Sequence, residues 1–127
     1  MKIVATVARI LLGLIFLASG ILKLHPFFPP GPMPTGVAGQ FLGALTASKY
    51  LVCVGLCELT GGLLLLINRF VPLGLTIVGP VIVNIILTGI LITHQALPGG
   101  LVVMALWLVV FWRVRSAFRG IFQAKVA

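Results

Sequence analysis

Acidic residues are almost missing from this chain. Aspartate does not occur, and Glu58 is the only carboxylate side chain among 127 residues. Charge of either sign is scarce: 8% of residues are charged and 61% are hydrophobic, with a mean hydropathy of +1.28. Soluble domains carry about 25% charged and about 45–50% apolar residues, which excludes a water-soluble globular domain. Cysteine is limited to Cys53 and Cys57. Four residues apart on a helix, their Cβ atoms would sit ~5–6 Å apart, whereas a disulfide wants ~3.8 Å. No CxxC or HxxH spacing occurs, so a redox dithiol or a metal site lacks its sequence signature, and both cysteines are expected as small apolar packers.

What is present is long apolar runs with basic ends. The net charge is +8, but nucleic-acid modules carry their charge on a water-soluble face. Here it flanks apolar segments, as the positive-inside rule and anionic headgroups require. The expected fold is all-α: a polytopic integral membrane protein, a single four-helix transmembrane bundle over 1–127. A span of the ~30 Å hydrocarbon core needs ~20 residues, and helices are expected at about 3–24, 49–67, 72–93 and 99–118. The first run has a basic start like a signal peptide, but its apolar region is too long for one.

Residues His25 to Gln40 hold five of the eight prolines and three glycines, and read as a loop over 25–40, either a connector or a lid. A short amphipathic stretch from Phe41 to Leu45 leads into the second helix. Asn68-Arg69-Phe70 is a tight turn, and Pro72 suits the first turn of the third helix. Residues 113–127 form a basic tail, which either continues the last helix or bends along the membrane. Seven basic residues (Lys2, Arg9, Arg69, Arg113, Arg115, Arg119, Lys125) gather on the side of the termini and two, Lys23 and Lys49, on the other. That bias puts both termini in the cytoplasm. Arg9, inside the first helix, either snorkels to that interface or faces the bundle.

Two segments echo each other. Gly13-Leu14, Leu17 and Gly20 recur as Gly55-Leu56, Leu59 and Gly62, with Phe16 in the place of Glu58. Inverted repeats of this kind occur in transporters, although a Leu/Gly-rich composition produces such matches by chance.

Glu58 lies inside the run LVCVGLCELTGGLLLLI, where a lone carboxylate needs a partner or a proton. On the third helix Thr76, Pro80, Asn84 and Thr88 trace one face at four-residue spacing. Counted from the shared turn, Asn84 reaches nearly the depth of Glu58, and a carboxyl-to-amide hydrogen bond between them is expected. Pro80 is expected to kink the helix beside them. The pair either glues two helices together or forms a polar pocket with Thr76 and Thr88. Lys23, His25 and His94 are expected near the outward surface. No catalytic residue is identifiable, and no metal or cofactor is firmly implied.

The segments ARILLGLIFLASGILKL and ASKYLVCVGLCELTGGLLLLINRFVPLGLTIVGPVIVNI resemble the DoxX and DoxX-like family of small membrane proteins. The distinctive part runs from Glu58 through Gly61-Gly62 and Asn68-Arg69-Phe70 to Pro80 and Asn84. The resemblance implies a bacterial inner-membrane location and a four-helix bundle. Relatives linked to thiosulfate:quinone oxidoreduction or thiol redox imply an accessory place in a redox complex, and the Glu58/Asn84 pocket is expected to accept a small apolar molecule with a polar head, such as a quinone or a lipid. Proton-coupled or small-solute transport and a structural scaffold are the alternatives. Expected partners are the lipid bilayer and further copies of the chain or a larger membrane complex, not nucleic acid.

Overall fold

Apolar segments that leave water must satisfy their backbone polar groups internally, and the chain does so with helices. The computed structural model describes residues 2–25, 35–93, 97–122 and 124, and no strand occurs among them. Helix α1 covers Lys2–Leu24, α2 Gly36–Ala47, α3 Tyr50–Leu66, α4 Val71–Thr88 and α5 Leu97–Arg113. A π-helical turn, Gly89–Thr93, prolongs α4, and a 3₁₀ segment, Arg115–Phe122, follows α5. Two helical stretches, Lys2–Leu24 and Val71–Ile92, are long and apolar enough to cross a membrane alone, and up to four spans result if each bent helix pair counts as one.

The turn after α3 has a local cause. Asn68 takes the left-handed conformation (φ 57°), its N–H donates to the carbonyl of Leu65, and that of Arg69 donates to Leu64. This is the Schellman arrangement, with asparagine in the position that usually favours glycine. Arg9 of α1 adds a side-chain cap by donating to the carbonyls of Leu65 and Leu66. A cation there also complements the negative end of the helix dipole.

Helices α1, α3, α4 and α5 pack in a ring: α1 on α3, α3 on α4, α4 on α5 and α5 back on α1. The α1–α3 seam is the closest. Gly13 meets Gly62 and Gly20 meets Gly55, so the echoed glycines are the ones that touch across the antiparallel crossing. A Cβ on Gly62 would lie 2.6 Å from the Leu17 nitrogen, and one on Gly20 would lie 2.7 Å from the Gly55 carbonyl oxygen. These neighbours are backbone and cannot move aside. The echo therefore has a structural counterpart, a local pseudo-two-fold helix pair in which Phe16 and Glu58 occupy equivalent positions. Both are 1% exposed.

Three segments depart from expectation. The stretch read as loop to residue 40 is already helical from Gly36, because the prolines end at Pro34 and the apolar residues beyond it support a helix. Lys49 then turns left-handed (φ 61°), and α2 meets α3 at 78°. The last helix does not run to 118. It stops at Arg113 and bends 86° into the 3₁₀ segment, which returns the buried Phe118 against the ring of Phe111 at 5.0 Å. Arg115 stacks over Trp112, 4.3 Å from its ring centre, on the outer side of that bend. Cys53 and Cys57, expected as small apolar packers, are exposed, because the buried face of α3 belongs to Gly55, Glu58, Gly61, Gly62 and Leu65.

A sealed apolar layer crosses the middle of the ring: Leu12 and Phe16 from α1, Leu65 from α3, and Leu75 and Val78 from α4, none more than 1% exposed. Around it α4 runs through Pro80 as one helix, and the Trp107 indole donates to the Leu75 carbonyl at 3.0 Å. The α1–α3 seam makes a testable demand. Gly62→Ala should cost about 1–3 kcal/mol, the range for overpacking. Gly43→Ala, where a Cβ meets nothing within 4 Å, should be neutral or stabilise by up to about 1 kcal/mol. Thermal unfolding in mild detergent measures both.

Candidate functional site

Lys23 and Glu58 meet because of the glycine crossing. Gly20 faces Gly55, and each charged residue lies three positions beyond its glycine, on opposite sides of the contact. At ~1.5 Å rise per residue they start ~4.5 Å above and below it. Helical Cα–Cβ bonds lean toward the N-terminus. In an antiparallel pair the two side chains therefore lean toward each other. The Lys23 ammonium donates to both carboxylate oxygens of Glu58 at 2.9 Å, and to the Ser19 hydroxyl at 2.7 Å. Glu58 is 1% exposed and the Lys23 side chain 25%.

This pairing replaces the expected one. No hydrogen bond joins Glu58 to Asn84 among the described residues. The carboxylate takes a cation from α1 in preference to an amide from α4, and a charge-assisted hydrogen bond is roughly twice as strong as a neutral one. Lys23, expected outward toward headgroups, turns inward for the same reason.

A cavity of about 590 Å³ opens beside the pair. Its walls are Phe41, Ala44 and Leu45 of α2, Ser48 just after it, Tyr50, Leu51 and Val54 of α3, and Val81, Asn84, Ile85, Thr88 and Gly89 along α4 into the π-helical turn, with the Lys23–Glu58 pair where α1 meets α3. Glu58 forms part of the inner wall although almost no solvent reaches it. The bend between α2 and α3 lays α2 along the cavity, so the segment after the proline stretch serves as a wall. The π-helical turn widens α4 at Gly89, and such turns recur at functional sites.

Glu58, Asn84 and Thr88 thus line one cavity, and Asn84 is solvent-accessible within it. Thr76 does not: its hydroxyl donates to the Pro72 carbonyl at 2.8 Å, a turn away on an exposed face. Pro80 is exposed on α4 and does not line the cavity. His25 is exposed at the end of α1, and His94 lies outside the described residues. Residue-by-residue reading missed Lys23 as the partner, together with Ser19, Ser48, Tyr50 and the α2 wall. The signal for Lys23 was in the chain, in the echoed glycines and the direction in which helical side chains lean.

The pair predicts a double-mutant cycle. Lys23→Met leaves a buried carboxylate without its cation and should cost about 3–5 kcal/mol, whereas Lys23→Met combined with Glu58→Leu should return to near wild-type stability. Unfolding midpoints of the two single variants and the double variant decide it. Additive losses would mean the two groups act independently.

A family model described as DoxX matches residues 4–95. That region holds Lys23, Glu58 and the whole cavity wall from α1 to the π-helical turn. No curated protein and no solved structure matches the chain. The apolar helices are those of a membrane protein, and over nearly three quarters of its length this chain belongs to the DoxX family.

Proposed function

We propose that the cavity binds a small apolar molecule with a polar head, a quinone or a lipid, and that the protein serves as an accessory subunit of a redox membrane complex. The cavity carries the reading. Its volume lies within the roughly 300–1,000 Å³ usual for small-molecule sites, which are mostly apolar with a few convergent polar groups. The walls are mainly hydrocarbon, and the polar side chains among them are Lys23, Ser48, Tyr50, Glu58, Asn84 and Thr88. The three ammonium donors of Lys23 are engaged by Ser19 and Glu58, and the exposed Asn84 amide beside them is a donor for a carbonyl or headgroup oxygen. The closed layer of Leu12, Phe16, Leu65, Leu75 and Val78 favours a binding site over a through passage.

The same reading gives four spans, α1, α3, α4 and α5, with α2 and the 3₁₀ segment turned along the two surfaces. Lys2, Arg9, Arg69 and Arg113 share the end where α1 begins, α3 ends, α4 begins and α5 ends. Lys23 turns inward at the other end, which leaves Lys49 as the basic side chain there. The basic end is then cytoplasmic in a bacterial inner membrane. With Cys53 and Cys57 replaced by serine, a cysteine placed at Arg69 should react with a membrane-impermeant maleimide only in inverted vesicles, and one placed at Lys49 only in right-side-out spheroplasts.

For the ligand, protein purified from its own membrane should release a quinone or a lipid on organic extraction, read by mass spectrometry. Asn84→Leu should weaken retention about fivefold, the loss of roughly one hydrogen bond, and Val54→Trp should empty the cavity. Thr76→Val, on the same helix but outside the cavity, should retain the ligand fully. Equal retention in all three variants would refute the site.

A further inference from the structure

A second cleft lies at the opposite end of the molecule, of about 370 Å³, beyond the sealed layer. Three cations converge on it: Lys2 and Arg9 from α1 and Arg113 from the end of α5. The only carboxylate side chain of the chain, Glu58, is committed to Lys23 on the far side of that layer. The three charges therefore have no acidic side chain of the protein to meet. The Arg9 guanidinium is already oriented by the Leu65 and Leu66 carbonyls. Beside the cations Val71 and Val110, both buried, and the half-buried Val114 give the cleft an apolar wall, and Ala5, Thr6 and Asn68 complete its lining.

From this we infer a binding site for the phosphate of an anionic phospholipid. The cations take the phosphate and the valine walls take the glycerol and the first acyl carbons. Basic clefts between membrane helices bind anionic headgroups in this way. A free phosphate would use the charges but leave the apolar walls wet, so the amphipathic cleft favours the lipid as the source. This site is independent of the ligand cavity and survives if that cavity proves empty.

Native mass spectrometry of the purified protein, released from mixed micelles of detergent with phosphatidylglycerol or phosphatidylcholine, tests it. Phosphatidylglycerol should be retained as a stoichiometric adduct in preference to phosphatidylcholine. Because Arg9 also caps α3, the variants are Lys2→Gln and Arg113→Gln, each expected to weaken phosphatidylglycerol binding about fivefold. Their unfolding temperatures in phosphatidylcholine should match wild type, which separates lost binding from lost folding. Arg69→Gln, at the same end but outside the cleft, should bind as wild type. A loss with Arg69→Gln equal to that with Arg113→Gln would overturn the site in favour of diffuse surface charge. Displacement of phosphatidylglycerol by millimolar inorganic phosphate would overturn the lipid assignment. Unchanged binding in the Lys2→Gln/Arg113→Gln double variant would overturn the proposal altogether.

Discussion

Where α1 crosses α3, backbone touches backbone. Gly20 and Gly62 leave no space for a Cβ and their partners Gly55 and Gly13 leave little, and that contact fixes the register of two helices that share few polar groups. In a chain so apolar, almost any helix face can pack against any other, and hydrophobicity alone gives no unique register. Small residues give one, because only at those positions can the helices approach closely. Once the crossing is set, the lean of helical side chains brings Lys23 down and Glu58 up until they meet. The ion pair is a consequence of the glycines.

The helices themselves were legible because their signals are local: long apolar runs, a turn at Asn68, and a proline early in α4. Glu58 was legible as the anomaly it is. Its partner was not, because depth along α3 and α4 from their shared turn locates Asn84 near the cavity but says nothing about α1. The interfacial preference of lysine pointed Lys23 outward. That preference holds when the alternative is bare hydrocarbon, and it reverses when a buried carboxylate sits one side chain away. Helix α2 was hidden by the prolines before it. The bend after Arg113 was one of two courses open to the tail, and the choice between them rests on the packing of Phe118 against Phe111.

The echoed segments give more than register. A pseudo-two-fold helix pair would ordinarily repeat its chemistry on both sides. Here one side fills the shared position with Phe16 and joins the sealed layer, while the other fills it with Glu58 and opens toward the cavity. Similar packing thus produces an apolar plug and a polar site from nearly the same motif. The separation of the molecule into a closed middle with a cleft at each end follows from that one difference and from the basic residues at the far end.

A buried ion pair is a weak reason for a protein to be stable, since matched apolar side chains often do as well or better. Lys23 and Glu58 would be poor choices if holding α1 to α3 were their whole purpose, because the glycines already do that. Their arrangement is also incomplete as a seal. Glu58 is closed off, yet Lys23 keeps a quarter of its side chain exposed and lines the cavity with the accessible amide of Asn84. The partial exposure that lowers the value of the pair as interhelical glue places its cationic member where a ligand oxygen would feel it.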